Sequence, residues 1–248
     1  MTWTLTQLRP GDAFPPPSAA LPAASPYPGL LAIGGRVDAD SLRRAYGAGI
    51  FPWYSPEEPV LWWSTDPRMV LRPSELRVHR SLRRSVRARL ADARWQIRVD
   101  ADFRGVMRDC AAPRRDGAGS WIGSDIVDGY GALHDAGLAH CFELYFDDRR
   151  VAGLYVVGIG AMVFGESMYT RVPDGSKLLL MALCGFARRH GLGPIDCQQQ
   201  TSHLASLGAT PWPRSEFLHA LRAARERPGP ASWHYDETQM RSDCAAWL

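Results

Sequence analysis

The sequence lacks the features that would tie it to a membrane or to a disulfide framework. Its apolar runs are too short to span a bilayer, and no N-terminal stretch combines basic residues, an apolar core and a cleavage site. Its five cysteines, at positions 110, 141, 184, 197 and 244, are odd in number and never form C-x-x-C. That spacing argues against a disulfide framework and a zinc knuckle. We therefore expect a cytosolic protein with ordinary buried thiols.

Lysine and paired histidines are also scarce. Lys177 is the single lysine among 29 basic residues, so arginine carries almost all of the positive charge. A net charge of +3 is too small to indicate a nucleic-acid partner by itself. The seven histidines never stand at metal-ligand spacing, and the sequence therefore predicts no metal site.

The chain is long enough for a sizeable core and has the composition of a globular protein, with 46% hydrophobic and 22% charged residues. Seven prolines in residues 10–28 predict an extended lead-in. A short helix should follow, capped at Asp40 or Ser41 and packing Leu42, Ala45 and Tyr46 on one face. Asp66-Pro67 marks a boundary between a small N-terminal domain, residues 1–66, and a larger domain, residues 67–248.

Strand and helix signals mix in the larger domain, which predicts an α+β fold with a mostly antiparallel sheet flanked by helices. The predicted elements are a strand at 69–71, a helix at 81–90, a loop at 114–117 leading to Trp121, a helix from Ser124 or Asp125, three antiparallel strands at 139–146, 150–158 and 161–167, a long helix at 176–190, a strand at 194–199, and helices at 203–207 and 214–225. The tail beyond Pro228 is expected to be loosely attached.

The helix at 81–90 has a face of arginines at i, i+3, i+4 and i+7, formed by Arg80, Arg83, Arg84 and Arg87. Like charges at these spacings are mildly destabilising, by about 0.2–0.5 kcal/mol per pair. Such a row suits a phosphate backbone, because arginines that neutralise phosphates release condensed counterions. The alternative is a solvated helix face.

Polar residues also interrupt the predicted strand at 194–199. Because side chains alternate along a strand, Asp196 and Gln198 should face one side while Ile195 and Cys197 face the other. The pair indicates either a chemical role or a hydrogen-bonded tie between the strand and a loop. A cluster of aromatics, Phe51, Trp53, Tyr54, Trp62 and Trp63, likewise suggests either core packing, which residue type favours, or a ligand cage.

Two strings resemble known motifs but lack a residue or the structural context that those motifs require. The string Gly-Glu-Ser-Met-Tyr at 165–169 lacks the second glycine of a nucleophile elbow. The string Arg-Arg-His-Gly-Leu-Gly at 188–193 fits the R-x-x-G-x-G pattern that holds the coenzyme A pyrophosphate. Its glycines follow a helix, however, whereas a phosphate loop must precede one. We interpret them as a helix C-cap.

Taken together, the motifs resemble those of the leucyl/phenylalanyl-tRNA–protein transferases. They are Gly-Leu-Leu-Ala-Ile-Gly-Gly at 29–35, Ala-Tyr at 45–46, Gly-Ile-Phe-Pro-Trp-Tyr-Ser-Pro at 49–56, Leu-Trp-Trp-Ser at 61–64, Asp-Pro-Arg at 66–68, Gly-Glu-Ser-Met at 165–168, Ser-Lys at 176–177, Ile-Asp-Cys-Gln at 195–198 and His-Leu-Ala-Ser-Leu-Gly-Ala at 203–209. The resemblance covers roughly residues 27–227 in the family's order and spacing.

The resemblance implies a bacterial cytosolic enzyme, without metal or coenzyme. It would move Leu, Phe or sometimes Met from an aminoacyl-tRNA to the N-terminal Arg or Lys of a protein and so create a degradation signal. It also implies that the larger domain is related to the acetyl-CoA N-acyltransferase (GNAT-like) fold, with tRNA replacing coenzyme A. The loop at 170–175 accordingly lacks a Gly-rich pyrophosphate pattern. We expect a monomer.

Residue roles follow from the same resemblance. Asp196 and Gln198 match a proposed relay that draws a proton from the attacking amine, and Glu166 matches a residue near that amine. Whether Asp196 acts as a base or as an electrostatic anchor stays open. The aminoacyl pocket should be lined by Leu154, Val163, Met168, Leu180, Leu183 and Ile195, and the site for the terminal adenosine by Tyr46, Trp53, Trp121 and Tyr130, which weakens a core role for Trp53. The Arg80 to Arg87 row would meet acceptor-stem phosphates.

The sequence departs from the family at three places: Arg36 replaces an acidic residue, Val163 a larger one, and the tail does not align. Two rival functions remain. One is a coenzyme A-dependent N-acyltransferase, favoured only by the misplaced glycine string. The other is a noncatalytic tRNA-binding or degradation-adaptor module, favoured by the arginine face.

Overall fold

The computed structural model describes residues 3–112 and 121–248, and its strands form two sheets. The N-terminal sheet contains β1 (Thr6–Leu8), β2 (Leu30–Gly34), β3 (Phe51–Pro52) and β4 (Leu61–Trp63), in the order β1-β2-β4-β3. β1 runs parallel to β2, and the other pairs are antiparallel. As predicted, residues 10–28 contain no strand or α-helix.

The first helix, α1 (Ala39–Gly47), lies between β2 and β3. Its predicted apolar face is confirmed, because Leu42, Ala45 and Tyr46 are fully buried. The predicted cap is wrong by a few residues. Asp38, not Asp40 or Ser41, is the N-cap and accepts a 2.8 Å hydrogen bond from the backbone N–H of Ser41.

The second sheet has seven strands: β5 (Arg68–Leu71), β6 (Trp95–Val99), β7 (Ala139–Phe146), β8 (Arg149–Ile159), β9 (Met162–Thr170), β10 (Ile195–Gln198) and β11 (Thr210–Trp212). Their order is β11-β5-β10-β9-β8-β7-β6. Every neighbouring pair is antiparallel except β9 and β10, which are parallel. The predicted meander β7-β8-β9 and the predicted α+β class are confirmed.

Helices cover both faces of this sheet. They are α2 (Arg80–Leu90), α3 (Phe103–Ala111), α4 (Ser124–Asp135), α5 (Gly175–Arg189), α6 (Ser202–Ser206), α7 (Arg214–Arg225) and α8 (Glu237–Ala245). One apolar cluster joins α1, α3, α4 and α7 to one face, and a second joins α2, α5 and α8 to the other. The sequence did not predict β6, α3, β11 or α8, nor any of the four strands of the N-terminal sheet.

The prediction of a loosely attached tail is wrong. Tyr235, Met240 and Cys244 are buried, and α8 packs along α5. Arg189 of α5 makes a two-point ion pair with Asp243, at 2.8 and 2.7 Å. Gly185 leaves room for this contact, since a Cβ there would lie 2.8 Å from that of Asp243. Few apolar residues, widely spaced in the tail, gave no periodic signal to predict the contact.

The predicted loop at 114–117 lies outside the described residues. All five cysteines lie within them, four are buried, and none is in a disulfide. None of the helices in residues 3–112 and 121–248 combines the length and apolar character needed to cross a membrane.

Candidate active site

A cavity of about 1150 Å³ opens where two parallel strands separate. β9 and β10 pair only through Val163 with Ile195 and Phe164 with Asp196. The residues that follow on each strand, Gly165 to Met168 on β9 and Cys197 and Gln198 on β10, line the cavity. The sheet itself therefore supplies polar groups at the base of the opening.

Glu166 lies at a bulge in β9. On β8, Tyr155 pairs with Ser167 and the next residue, Val156, pairs with Gly165, so that Glu166 has no ladder partner. A bulge of this kind bends the strand and re-aims the side chain of the extra residue. Here it directs the carboxylate of Glu166 to the cavity.

Three side chains hold the Glu166 carboxylate. The amide Nε2 of Gln198 donates to Oε1 at 2.7 Å, and the Tyr130 hydroxyl donates to Oε2 at 3.3 Å. The Tyr46 hydroxyl is hydrogen-bonded to that of Tyr130. Burial raises the pKa of Glu166 to about 7; a hydrogen bond from Tyr46 opposes the rise, and the charge of Asp196 adds to it. A carboxyl group with this pKa can exchange protons near neutral pH.

Tyr46 and Tyr130 do not line the cavity as expected. Both side chains are 0% exposed and belong to the core between α1, α4 and the sheet. They reach the site only through their hydroxyl groups, which meet at Glu166. Tyr46 and Tyr130 therefore do not lie at the surface of the cavity, where the adenosine prediction placed them.

The same-face prediction for Asp196 and Gln198 is also wrong. Gln198 has a φ of +58°, and the pairing of β10 with β5 shifts register between the two residues. The strand alternation therefore stops before Gln198, whose side chain reaches the cavity. Asp196 does not reach it: the side chain is 0% exposed and pairs with Arg68, Oδ1 with Nε at 2.8 Å and Oδ2 with Nη2 at 2.6 Å. Asp196 therefore faces Arg68 and not the cavity, where the sequence placed it as a base or as an electrostatic anchor.

Five of the six predicted pocket residues line one wall of the cavity: Leu154, Met168, Leu180, Leu183 and Ile195. The sixth, Val163, is 1% exposed and lies behind the wall as the ladder partner of Ile195. Cys197, which was not predicted, completes the wall. The long helix α5 thus packs on the sheet and also provides part of the cavity surface.

Aromatic side chains form a second part of the cavity lining, called here the aromatic wall. Trp53 and Trp121 both line the cavity, together with Tyr54 and Trp63. Trp53 is 39% exposed, whereas Phe51 and Trp62 are buried. The aromatic cluster is therefore divided: Trp62 packs in the core, while Trp53 presents its ring to the opening.

The lining of the cavity carries negative charge. Its lining includes Glu57, Glu58 and Glu166, and in the described part of the chain no Arg or Lys lines it. The start of α5, where a pyrophosphate would bind in an acetyl-CoA enzyme, has Asp174 as N-cap, paired with Lys177 at 2.9 Å. The Arg188 to Gly193 string closes α5, with Gly191 at φ +60°, as predicted for a C-cap.

The arginine face of α2 is exposed as predicted. Leu82 and Val86 pack inward, while Arg80, Arg83, Arg84 and Arg87 lie on the surface. Arg83 donates to the carbonyl of Val78, and Arg87 to the backbone oxygen of Leu248. Within the described residues, none of the four pairs with an Asp or Glu side chain.

Two histidines that are distant from metal-ligand spacing in sequence meet in the fold. Possible ligand atoms of Asp100, His134 and His140 lie within 4.8 Å of one another. Three of the four ring nitrogens already have partners: His140 Nδ1 lies 2.7 Å from Asp100 and Nε2 lies 3.2 Å from the Gly137 carbonyl, and His134 Nδ1 donates to the carbonyl of Ala139. These contacts account for the cluster as part of the core.

Comparison with known proteins identifies the chain as a transferase enzyme. The family model described as leucyl/phenylalanyl-tRNA protein transferase matches residues 70–222, and the model of that family's N-terminal domain matches residues 35–66. Two proteins named leucyl/phenylalanyl-tRNA–protein transferase, from Cupriavidus necator and Paraburkholderia phytofirmans, are each 53% identical over 94% of this chain, covering 94% and 95% of their own lengths. The chain belongs to the leucyl/phenylalanyl-tRNA–protein transferase family.

Solved structures give more distant likenesses. FemX has a TM-score of 0.39 with 12% identity, covering 83% of this chain and 65% of its own. A GCN5-related N-acetyltransferase from Kribbella flavida has a TM-score of 0.33 with 12% identity, covering 68% and 58%. Likenesses this distant carry no further conclusion.

Sequence reasoning missed several residues of the site. Glu57, Glu58 and Cys197 gave no distinctive signal. Arg68 lies in the Asp-Pro-Arg string at 66–68, but nothing local indicates that its guanidinium pairs with a carboxylate 128 residues away.

Proposed function

We propose that this protein transfers Leu, Phe or Met from an aminoacyl-tRNA to the N-terminal Arg or Lys of acceptor proteins, in the cytoplasm and as a monomer, and so creates a degradation signal. The observation that carries the proposal is an acidic cavity whose lining combines an apolar wall with a half-buried carboxylate-amide pair. It suits an apolar acyl group and a cationic acceptor together. We expect no metal or coenzyme to be required.

The apolar wall is the proposed socket for the transferred amino acid. Leu180 and Leu183 of α5 line it together with Leu154, Met168 and Ile195 of the sheet. Met168 has an unbranched, flexible side chain, which suits a socket that accepts Leu, Phe and Met. A β-branched amino acid should fit poorly.

Glu166 and Gln198 are the proposed amine-handling groups. The α-ammonium of the acceptor, with a pKa of about 8, must lose a proton before it attacks. Glu166, whose pKa is about 7, can take that proton. Gln198 donates through Nε2 to Glu166, which leaves its amide oxygen to orient the amine. The neutral amine nitrogen then forms the new C–N bond, the ester C–O bond breaks, and the ribose oxygen leaves with the second proton, which the nitrogen loses as the amide forms.

The rim of the cavity is suited to the basic acceptor side chain. Glu57 and Glu58 add negative charge at the opening, and the described lining has no Arg or Lys to oppose a basic acceptor side chain. The same charge disfavours the pyrophosphate of coenzyme A. This argues against the rival coenzyme A-dependent activity.

The tRNA is proposed to enter over the aromatic wall. Trp53 and Trp121 can stack with the terminal adenosine and its neighbour, a contact worth ~1–3 kcal/mol per base. The exposed face of α2, Arg80, Arg83, Arg84 and Arg87, would contact acceptor-stem phosphates without reading base identity.

One assay tests the proposal. Transfer of label from Leu-charged tRNA to a peptide with N-terminal Arg or Lys is expected, in the presence of a chelator, and no transfer to the same peptide with an acetylated N-terminus. Acylation from acetyl-CoA without transfer from tRNA would favour the rival acyltransferase. Binding of tRNA with neither reaction would favour an adaptor.

A further inference from the structure

Arg68 is the one arginine in the described chain that is fully buried. The rings of Phe51 and Phe217 lie on it, each 4.6 Å from the guanidinium carbon. Nη1 donates to the carbonyl of Gly49 at 3.2 Å, while Nε and Nη2 bind Asp196. Apolar pairs of similar volume often stabilise a core as well as a buried ion pair does, so stability alone does not explain this one.

The carboxylate of Asp196 binds the backbone of β10 as well as Arg68. Asp196 Oδ1 also accepts a 2.8 Å hydrogen bond from the backbone N–H of Gln198. The carbonyl of Gln198 accepts another from the Thr65 hydroxyl at 3.2 Å. Both backbone polar groups of Gln198 are therefore held by side chains.

These two hydrogen bonds hold Gln198 in an unusual backbone conformation. Gln198 has a φ of +58°, and the N–H of Gln199 donates back to the carbonyl of Cys197 at 2.7 Å, forming a γ-turn centred on Gln198. Left-handed backbone is unfavourable for a residue with a side chain and persists only where its surroundings impose it. In an extended strand Gln198 would instead face the same side as Asp196.

We infer that Arg68 is a positioning residue for the transfer reaction: it locks Asp196, whose carboxylate holds Gln198 in the turn that brings its amide to Glu166. This rests on the proposed function. Arg68 acts through Gln198 and does not touch the reacting groups. Because Phe51 and Gly49 belong to the N-terminal part of the chain, the same contacts also tie that part to the catalytic strand.

The test replaces the ion pair with an apolar pair, Arg68→Met with Asp196→Leu, in an enzyme shown to transfer Leu from tRNA. We expect kcat to fall about 100-fold, the scale of lost proton-transfer catalysis, with little change in KM for aminoacyl-tRNA. Gln198→Ala should have a similar effect. Since both changes act on one side chain, the triple variant should be no slower than Gln198→Ala alone.

A matched control is Arg189→Met with Asp243→Leu, which removes a two-point ion pair between α5 and α8 and should leave kcat unchanged.

Full kcat in the folded Arg68→Met, Asp196→Leu variant would overturn the inference, as would losses that multiply in the triple variant. If that variant does not fold, Arg68→Lys serves instead, because its single ammonium cannot make the two-point contact; full kcat there would equally overturn it. Unchanged kcat in Gln198→Ala would overturn the proposed mechanism itself.

Discussion

Glu166→Gln should make the protein more stable and less active at alkaline pH. The pKa of Glu166 is about 7 in the fold, against 4.5 for an ordinary glutamate. A raised pKa means that the fold binds the protonated form preferentially, so stability falls as pH rises from 4.5 through about 7. The difference corresponds to about 3 kcal/mol, an upper value because the side chain is partly open to the cavity. Glutamine cannot ionise and avoids this cost.

Urea unfolding at two pH values measures the effect. At pH 8 the Glu166→Gln variant should be more stable than the wild type by up to about 3 kcal/mol, and at pH 5 by less than about 1 kcal/mol, because both proteins are then neutral at this position. Glu226→Gln, at an exposed site, should show no pH-dependent difference. A variant that is equally stable or less stable at pH 8 would refute the burial of an ionisable carboxyl group at the site.

Three further outcomes are expected. Because ionised Glu166 takes the proton in the proposed mechanism, kcat should rise with pH as Glu166 ionises. Tyr130→Phe removes a hydrogen bond that lowers the pKa of Glu166, so the midpoint of this rise should move upward. Arg80→Glu with Arg84→Glu should weaken tRNA binding and reduce the slope of log affinity against log salt by about 1.5–2, with no effect on aminoacyl-adenosine, which lacks the stem. Met168→Ala should lower kcat/KM for Leu-charged tRNA by about tenfold and for Phe-charged tRNA less, because the larger ring still fills the socket.

Each of these three predictions can be checked by a control variant or contradicted by a specific result. An unchanged or lower midpoint in Tyr130→Phe would contradict the assignment of that limb to Glu166. Reversal of two exposed arginines on other helices, Arg108→Glu with Arg222→Glu, should leave the salt slope intact. Equal losses for Leu and Phe in Met168→Ala would show that the residue does not contact the amino acid.

The elements that the sequence determined by itself are those with a strong local period. The buried face of α1, the meander of β7, β8 and β9, the apolar helix α5 and the arginine row of α2 all follow from spacings of two, or of three and four, residues. Such spacing needs no distant partner. Motif order then sufficed to indicate the family, and most of the predicted socket lines the cavity.

Tertiary structure decided how the site is assembled. The Arg68–Asp196 pair joins residues 128 positions apart, and no local pattern marks a buried ion pair. The bulge at Glu166 and the left-handed turn at Gln198 each break strand alternation, and it was this alternation on which the same-face prediction for Asp196 rested. Residue type does not encode a positive φ in glutamine; the surrounding side chains impose it. The residues of the site were therefore readable from sequence, while their directions depended on contacts between distant parts of the chain.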